Sequence, residues 1–121
     1  ATRTAEARRV DLKASGTRPF VDAARILALA AGIEHTGTAA RLRAAGPRLR
    51  LPADEIEAMA EAFHFVLLLR LRHQMTHPDV SGPDANRIDP DSLNELDQRI
   101  LKEAMRQARK LQDRLALDYR L

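Results

Sequence analysis

The sequence predicts an all-α fold, an antiparallel up-and-down four-helix bundle with an N-terminal arm and one short helix. Three observations carry that prediction. Alanine, leucine and arginine dominate, with three Phe, one Tyr and no Trp, a balance that favours helix over strand. Ala62 to Gln74 read AFHFVLLLRLRHQ, and the apolar run Phe65 to Leu69, stepping 100° per residue on a helix, leaves no side of that turn comfortable in water. This helix is expected at the centre of the bundle. Leu93, Leu96, Ile100, Ala104, Ala108, Leu111 and Leu115 keep three-and-four spacing, long enough for a full-length bundle partner.

At 121 residues without cysteine, the chain makes one domain able to bury roughly two-thirds of its unfolded surface without staples. The absence of cysteine fits a reducing, cytoplasmic setting and excludes thiolate metal sites and a cysteine nucleophile. The Phe65–Leu69 run is too short for a bilayer, which takes roughly 20 apolar residues. No membrane partner is expected. A chain that begins at Ala1 with no signal peptide reads as a domain excised from a larger protein. The net charge of +3 is uneven: residues 1–50 hold ten Lys/Arg against four Asp/Glu, and residues 51–121 ten against thirteen. The first half could attract an anion or dock on the second.

Residues 1–17 lack a sustained apolar period, and Ser15, Gly16 and Pro19 interrupt the chain before the first strong helix. They read as an arm or linker from a preceding domain, extended near Val10 to Lys13, with the bundle domain at 18–121. Pro19 suits a helix start and Gly32 a left-handed stop, which places helix one at Pro19 to Ala31, with Phe20, Ala23, Ala24, Leu27 and Ala31 on its apolar face. Thr36 or Thr38 can cap a short helix two, Thr38 to Ala45, stopped by Gly46 and Pro47. Pro52 leads into helix three, Ala53 to Met75, with Ile56, Met59, Ala60, Phe63 and Leu67 on one stripe. Its acidic start and basic end complement the helix dipole. His77 to Pro90 holds three prolines and Gly82 and reads as a loop. Asp89 with Pro90, or Ser92 with Glu95 as a capping box, opens helix four, which runs to about Tyr119. Arg106, Arg109, Lys110 and Arg114 read as its solvated face, and Arg70 and Arg72 are expected to pair with Asp89 or Asp91 across the antiparallel turn.

No complete catalytic constellation is present. His73 and His77, four apart, could aim two imidazoles at one metal, but Gln74 stands where a glutamate would complete the pattern and no third ligand is evident. Arg72 and His77 could stabilise a phosphate transition state and move a ribose 2′-hydroxyl proton. That spacing resembles the Arg-x4-His signature of HEPN ribonucleases, whose usual aromatic residue after the histidine is missing. The run GIEHTGT from Gly32 lacks the lysine of a phosphate loop and any preceding strand. His64 reads as a satisfied boundary histidine.

Taken together, several blocks carry a wider resemblance: Asp11-Leu12-Lys13 and Gly16, RPFVDAARILALAAGI at Arg18 to Ile33, AFHFVLLLRLRHQ at Ala62 to Gln74, Asn86 with Ile88-Asp89-Pro90 and Leu93, and LKEAMRQARKLQDRL at Leu101 to Leu115. In this order and spacing the chain resembles the nucleotidyltransferase substrate-binding domain family over about residues 10–119. The resemblance implies a non-catalytic, cytoplasmic helical bundle at the C-terminal end of bacterial signal-transduction proteins that also carry cyclic-nucleotide-binding-like, paired CBS and nucleotidyltransferase-like domains, akin to the uridylyltransferase of the PII regulator. The catalytic motifs, with any Mg and nucleotide, would belong to the neighbouring domain, and this chain would hold no cofactor of its own. The expected partners are that adjacent domain and a nucleotide or protein acceptor; a homodimer is allowed and nucleic acid is not expected. Lys13, Arg18, Arg25, Arg70, Arg72, His73 and Gln74 are the polar positions that match, and cations there suit a phosphate or an acidic partner. A HEPN-like ribonuclease acting through Arg72 and His77, and a purely structural docking or dimerisation module, are the alternatives.

Overall fold

The computed structural model describes residues 9–119, so residues 1–8 of the expected arm lie outside the described residues. Four helices pack in a ring: α1 (Arg18–Ala31), α2 (Thr38–Ala45), α3 (Ala53–Thr76) and α4 (Glu95–Tyr119). Contacts run α1 to α2, α2 to α3, α3 to α4 and back from α4 to α1, the neighbour pattern of an all-α bundle in sequence order. Among the described residues no helix is long and apolar enough to cross a membrane.

The helix ends follow from their end residues. Pro19 sits in the first turn of α1, and Gly32 ends it at φ 67°. There the Gly32 amide reaches Leu29 O at 3.4 Å and the Ile33 amide Ala28 O at 2.9 Å, the paired bonds of a left-handed helix stop. α2 matches its predicted bounds, but Gly37 rather than a threonine stands at its cap and makes no side-chain bond. Gly46 and Pro47 stop the helix as expected, and the chain runs on beyond it. They tighten the chain into a 3₁₀ turn, Gly46–Leu49, which ends at Arg50 in the left-handed region with φ 58°. The start of α4 belongs to Asn94, whose Oδ1 accepts the Asp97 amide at 2.8 Å. Asp89 caps only a 3₁₀ turn, Pro90–Ser92.

The stretch before α1 is built into the body. Strand β1 (Val10–Asp11) pairs antiparallel with β2 (Arg87–Ile88), Val10 opposite Ile88 and Asp11 opposite Arg87. The Asp11 carboxylate then accepts the amides of Lys13 and Ala14, both at 2.9 Å, and starts a π-helical turn over Leu12–Thr17. Leu12 is fully buried within it. Gly16 allows the turn to lie directly on α3, because a Cβ there would sit 2.6 Å from Val66 Cγ1. A single apolar period could not announce this segment, since it buries one leucine and a backbone approach rather than a stripe. The predicted loop after α3 is tied down by the same strand pair.

Phe20, Leu27, Leu42, Leu49, Met59, Val66 and Leu111 form the fully buried centre, with Phe20 edge-on to Phe63 at 6.0 Å between ring centroids. The expectation that α3 is buried all round is corrected here. Its neighbours cover only the side bearing Ile56, Met59, Phe63, Val66 and Leu69. Leu67, which was placed on the buried stripe, is 42% exposed, while Leu68 is 64%, Leu71 52% and Met75 74% exposed. The first turns of α4 are corrected likewise: Leu101 takes the core position, and Leu96 and Ile100 face outward.

Candidate functional site

The C-terminal end of α3 is where the polar residues singled out in the sequence meet the rest of the fold. Arg70 is half-buried, and its guanidinium donates from Nε to Asn86 Oδ1 at 3.0 Å and from Nη1 to Thr17 Oγ1 at 2.9 Å. It therefore joins three segments, and its partner is neither Asp89 nor Asp91. Thr17 is itself buried. Arg72, two residues on, points to α4 instead and donates to Asp97 Oδ2 at 2.9 Å. Asp97 is also the residue whose amide Asn94 caps, so the ion pair and the start of α4 share one residue.

His73 lies on the Arg70 face of the helix, and its ring stands 4.5 Å from that of His77. Burial, the neighbouring His77 charge and Arg9 hold its pKa below the ordinary 6.5, against a hydrogen bond from the ring to the Arg87 backbone that pulls the other way. His77 Nδ1 lies 3.1 Å from His73 O and 3.2 Å from Thr76 Oγ1. Arg72 and His77 are thus turned to different partners. The histidine pair gains no third metal-binding side chain among the described residues.

Lys13, Arg18 and Arg25 are exposed, and among the described residues their side chains make no hydrogen bond or ion pair. Gln74 is exposed as well. The fold brings Arg70 and His73 to one face, turns Arg72 to another, and spreads the α1 cations along a surface of their own. Sequence reasoning missed Thr17, Asn94 and Asp97, which hold this end together. Their signal is only local: short polar side chains beside helix ends, without periodicity.

The same end of α3 carries an uncovered apolar surface. Phe65, Leu68, Leu69, Leu71, Met75 and the stem of Arg72 line an open groove of about 640 Å³. Phe65 also lines a smaller groove toward α4, with Ile100 on its far wall. Leu96 stands one turn before Ile100 on α4 and is exposed as well. Contiguous exposed apolar surface of this kind marks interaction sites more often than chance exposure.

Fold and site together define a small helical-bundle domain whose polar end is closed by its own hydrogen bonds and whose adjoining face is apolar. The chain belongs to the family described as "Putative nucleotidyltransferase substrate binding domain", whose model matches residues 1–119. Searches of the curated proteins and of the solved structures give no match.

Proposed function

We propose that this domain is a non-catalytic partner of a nucleotidyltransferase domain in the same polypeptide, docking on it and positioning the nucleotide or acceptor for transfer. The observation that carries the reading is the uncovered apolar groove lined by Phe65, Leu68, Leu71 and Met75 in a chain whose family is described by its relation to nucleotidyltransferases. Burying such side chains contributes roughly 25 cal/mol per Å², and the occupant proposed is a nucleotidyltransferase-like domain of the same polypeptide. Arg72 and Asp97 at the patch margin give a polar rim around an apolar centre, the anatomy of a specific interface. Lys13, Arg18 and Arg25 are the exposed cations suited to an anionic substrate. Arg70 serves this function indirectly, by fixing the end of α3. In this reading Mg and the catalytic motifs would belong to the partner domain.

The test joins the 121-residue chain to that catalytic domain and compares it with a Leu68→Asp/Leu71→Asp double variant. Both leucines are exposed, so the helical circular dichroism of the variant should match the parent. Nucleotidyl transfer should fall at least tenfold, as expected when the centre of an interface is made charged. Unchanged transfer with an intact fold would contradict the docking role.

A further inference from the structure

At the other end of α3, about 22 Å from Arg70 along a helix rising 1.5 Å per residue, five cations from two parts of the chain face one cavity. Arg50 comes from the end of the 3₁₀ turn, and Arg106, Arg109, Lys110 and Arg114 from α4, around an open cavity of about 570 Å³. Glu55 and Asp113 are its two carboxylates, and Asp118 stands 4.0 Å from Arg114 beside it. Lys110 is paired with Glu55 at 2.7 Å, and Arg106 with Glu103 outside the cavity at 2.7 Å. Arg114 donates to Leu49 O at 3.0 Å, which fastens α4 to the turn that presents Arg50. The side chains of Arg50 and Arg109 have no hydrogen bond or ion pair among the described residues.

The backbone at Arg50 is the second observation. It is the one non-glycine residue at positive φ among the described residues, at 58°, and its amide closes the turn on Pro47 O at 2.9 Å. Glycine or asparagine fits such a position with less strain. A long cation held there against its backbone preference points to a task for the side chain.

We infer that this cavity binds a nucleoside di- or triphosphate, with the polyphosphate held by Arg50 and Arg109. Guanidinium groups grip phosphate oxygens two at a time, and Arg50 and Arg109 are the lining cations without a partner among the described residues. Leu51 and Leu117 supply apolar walls for the base or sugar, and the volume lies in the range of small-molecule sites. The site is separate from the apolar patch and stands whether or not that patch docks a catalytic domain. The solvated face read from the sequence on α4 is in this way one wall of a binding site.

Calorimetric titration of the 121-residue chain with ATP, inorganic triphosphate and adenosine at moderate salt tests the inference. ATP and triphosphate should bind saturably, and adenosine should not. Arg50→Gly, which relieves the backbone while removing the cation, and Arg109→Ala should each weaken ATP binding about tenfold or more with the thermal transition retained. Arg99→Ala, on the same helix but outside the cavity, should leave ATP binding unchanged. Absence of saturable ATP binding at millimolar concentration would overturn the inference. So would binding that survives Arg50→Gly and Arg109→Ala but is lost when Lys13 and Arg25 are replaced by alanine; the latter result would still leave the domain a substrate-positioning partner.

Discussion

Arg70 joins segments that the sequence holds 53 residues apart, through its 2.9 Å bond to Thr17. Its removal strands a buried hydroxyl and the Asn86 carboxamide, and an unmade bond of that kind costs about 1–3 kcal/mol. Arg70→Ala should therefore lower the unfolding free energy by about that amount in urea denaturation, even though no core volume is lost. Gly16 is a second single-residue control. Val66 is fully buried, so it has nowhere to retreat from a new methyl group 2.6 Å away, and Gly16→Ala should cost about 1–3 kcal/mol by overpacking. His73 sets a pH dependence. Because its folded pKa lies below the ordinary 6.5, the unfolded chain takes up the proton first as pH falls. The contribution of neutral His73 is complete above about 6.5 and is lost below it. The urea midpoint should be lower at pH 5.5 than at pH 7.5, and the difference should shrink in a His73→Asn variant. The bond from Arg106 to Glu103, helped by Gln107, holds the Glu103 carboxyl at about 2, so its pairing persists until far more acid conditions.

At the scale of elements, periodicity read the helices well where a helix has one dry side and one wet side. α1 and α2 fall where their stripes and glycines put them, and α3 ends within a residue of its expected stop. Pattern reading lost its grip where apolar residues exceed what the core can take. The run Phe65 to Leu69 looks buried on every side, yet only Val66 and Leu69 are deeply buried. Shifting α4 by one residue, from Ile100 to Leu101, exchanges a core position for a surface one, and three-and-four spacing alone cannot choose between them. Val10–Asp11 is extended as expected, but the docking of Val10–Thr17 on the body was illegible for another reason. Its contribution is a two-residue strand pair, one buried leucine and a glycine contact, none of which repeats. Of the candidate site residues, Arg70 and Arg72 stood out because they end an apolar run, but which partners they take depends on segments distant in sequence. Arg50 gave no signal at all, since a left-handed arginine is visible only in the backbone.

For the whole molecule, the uneven charge resolves into distinct surfaces. Exposed cations of the π-helical turn and α1, the cavity around Arg50 and Arg109, and the apolar end of α3 and α4 are three separate regions on one small bundle. The chain belongs to a family described by its relation to nucleotidyltransferases, and the docking proposed above would give the surplus of outward leucines its occupant. Hydrogen–deuterium exchange across α3, in the 121-residue chain alone and joined to the catalytic domain, tests this most directly. The account predicts added protection confined to residues 65–76 and the first turns of α4. Equal exchange in both states, or protection only along α1, would contradict it.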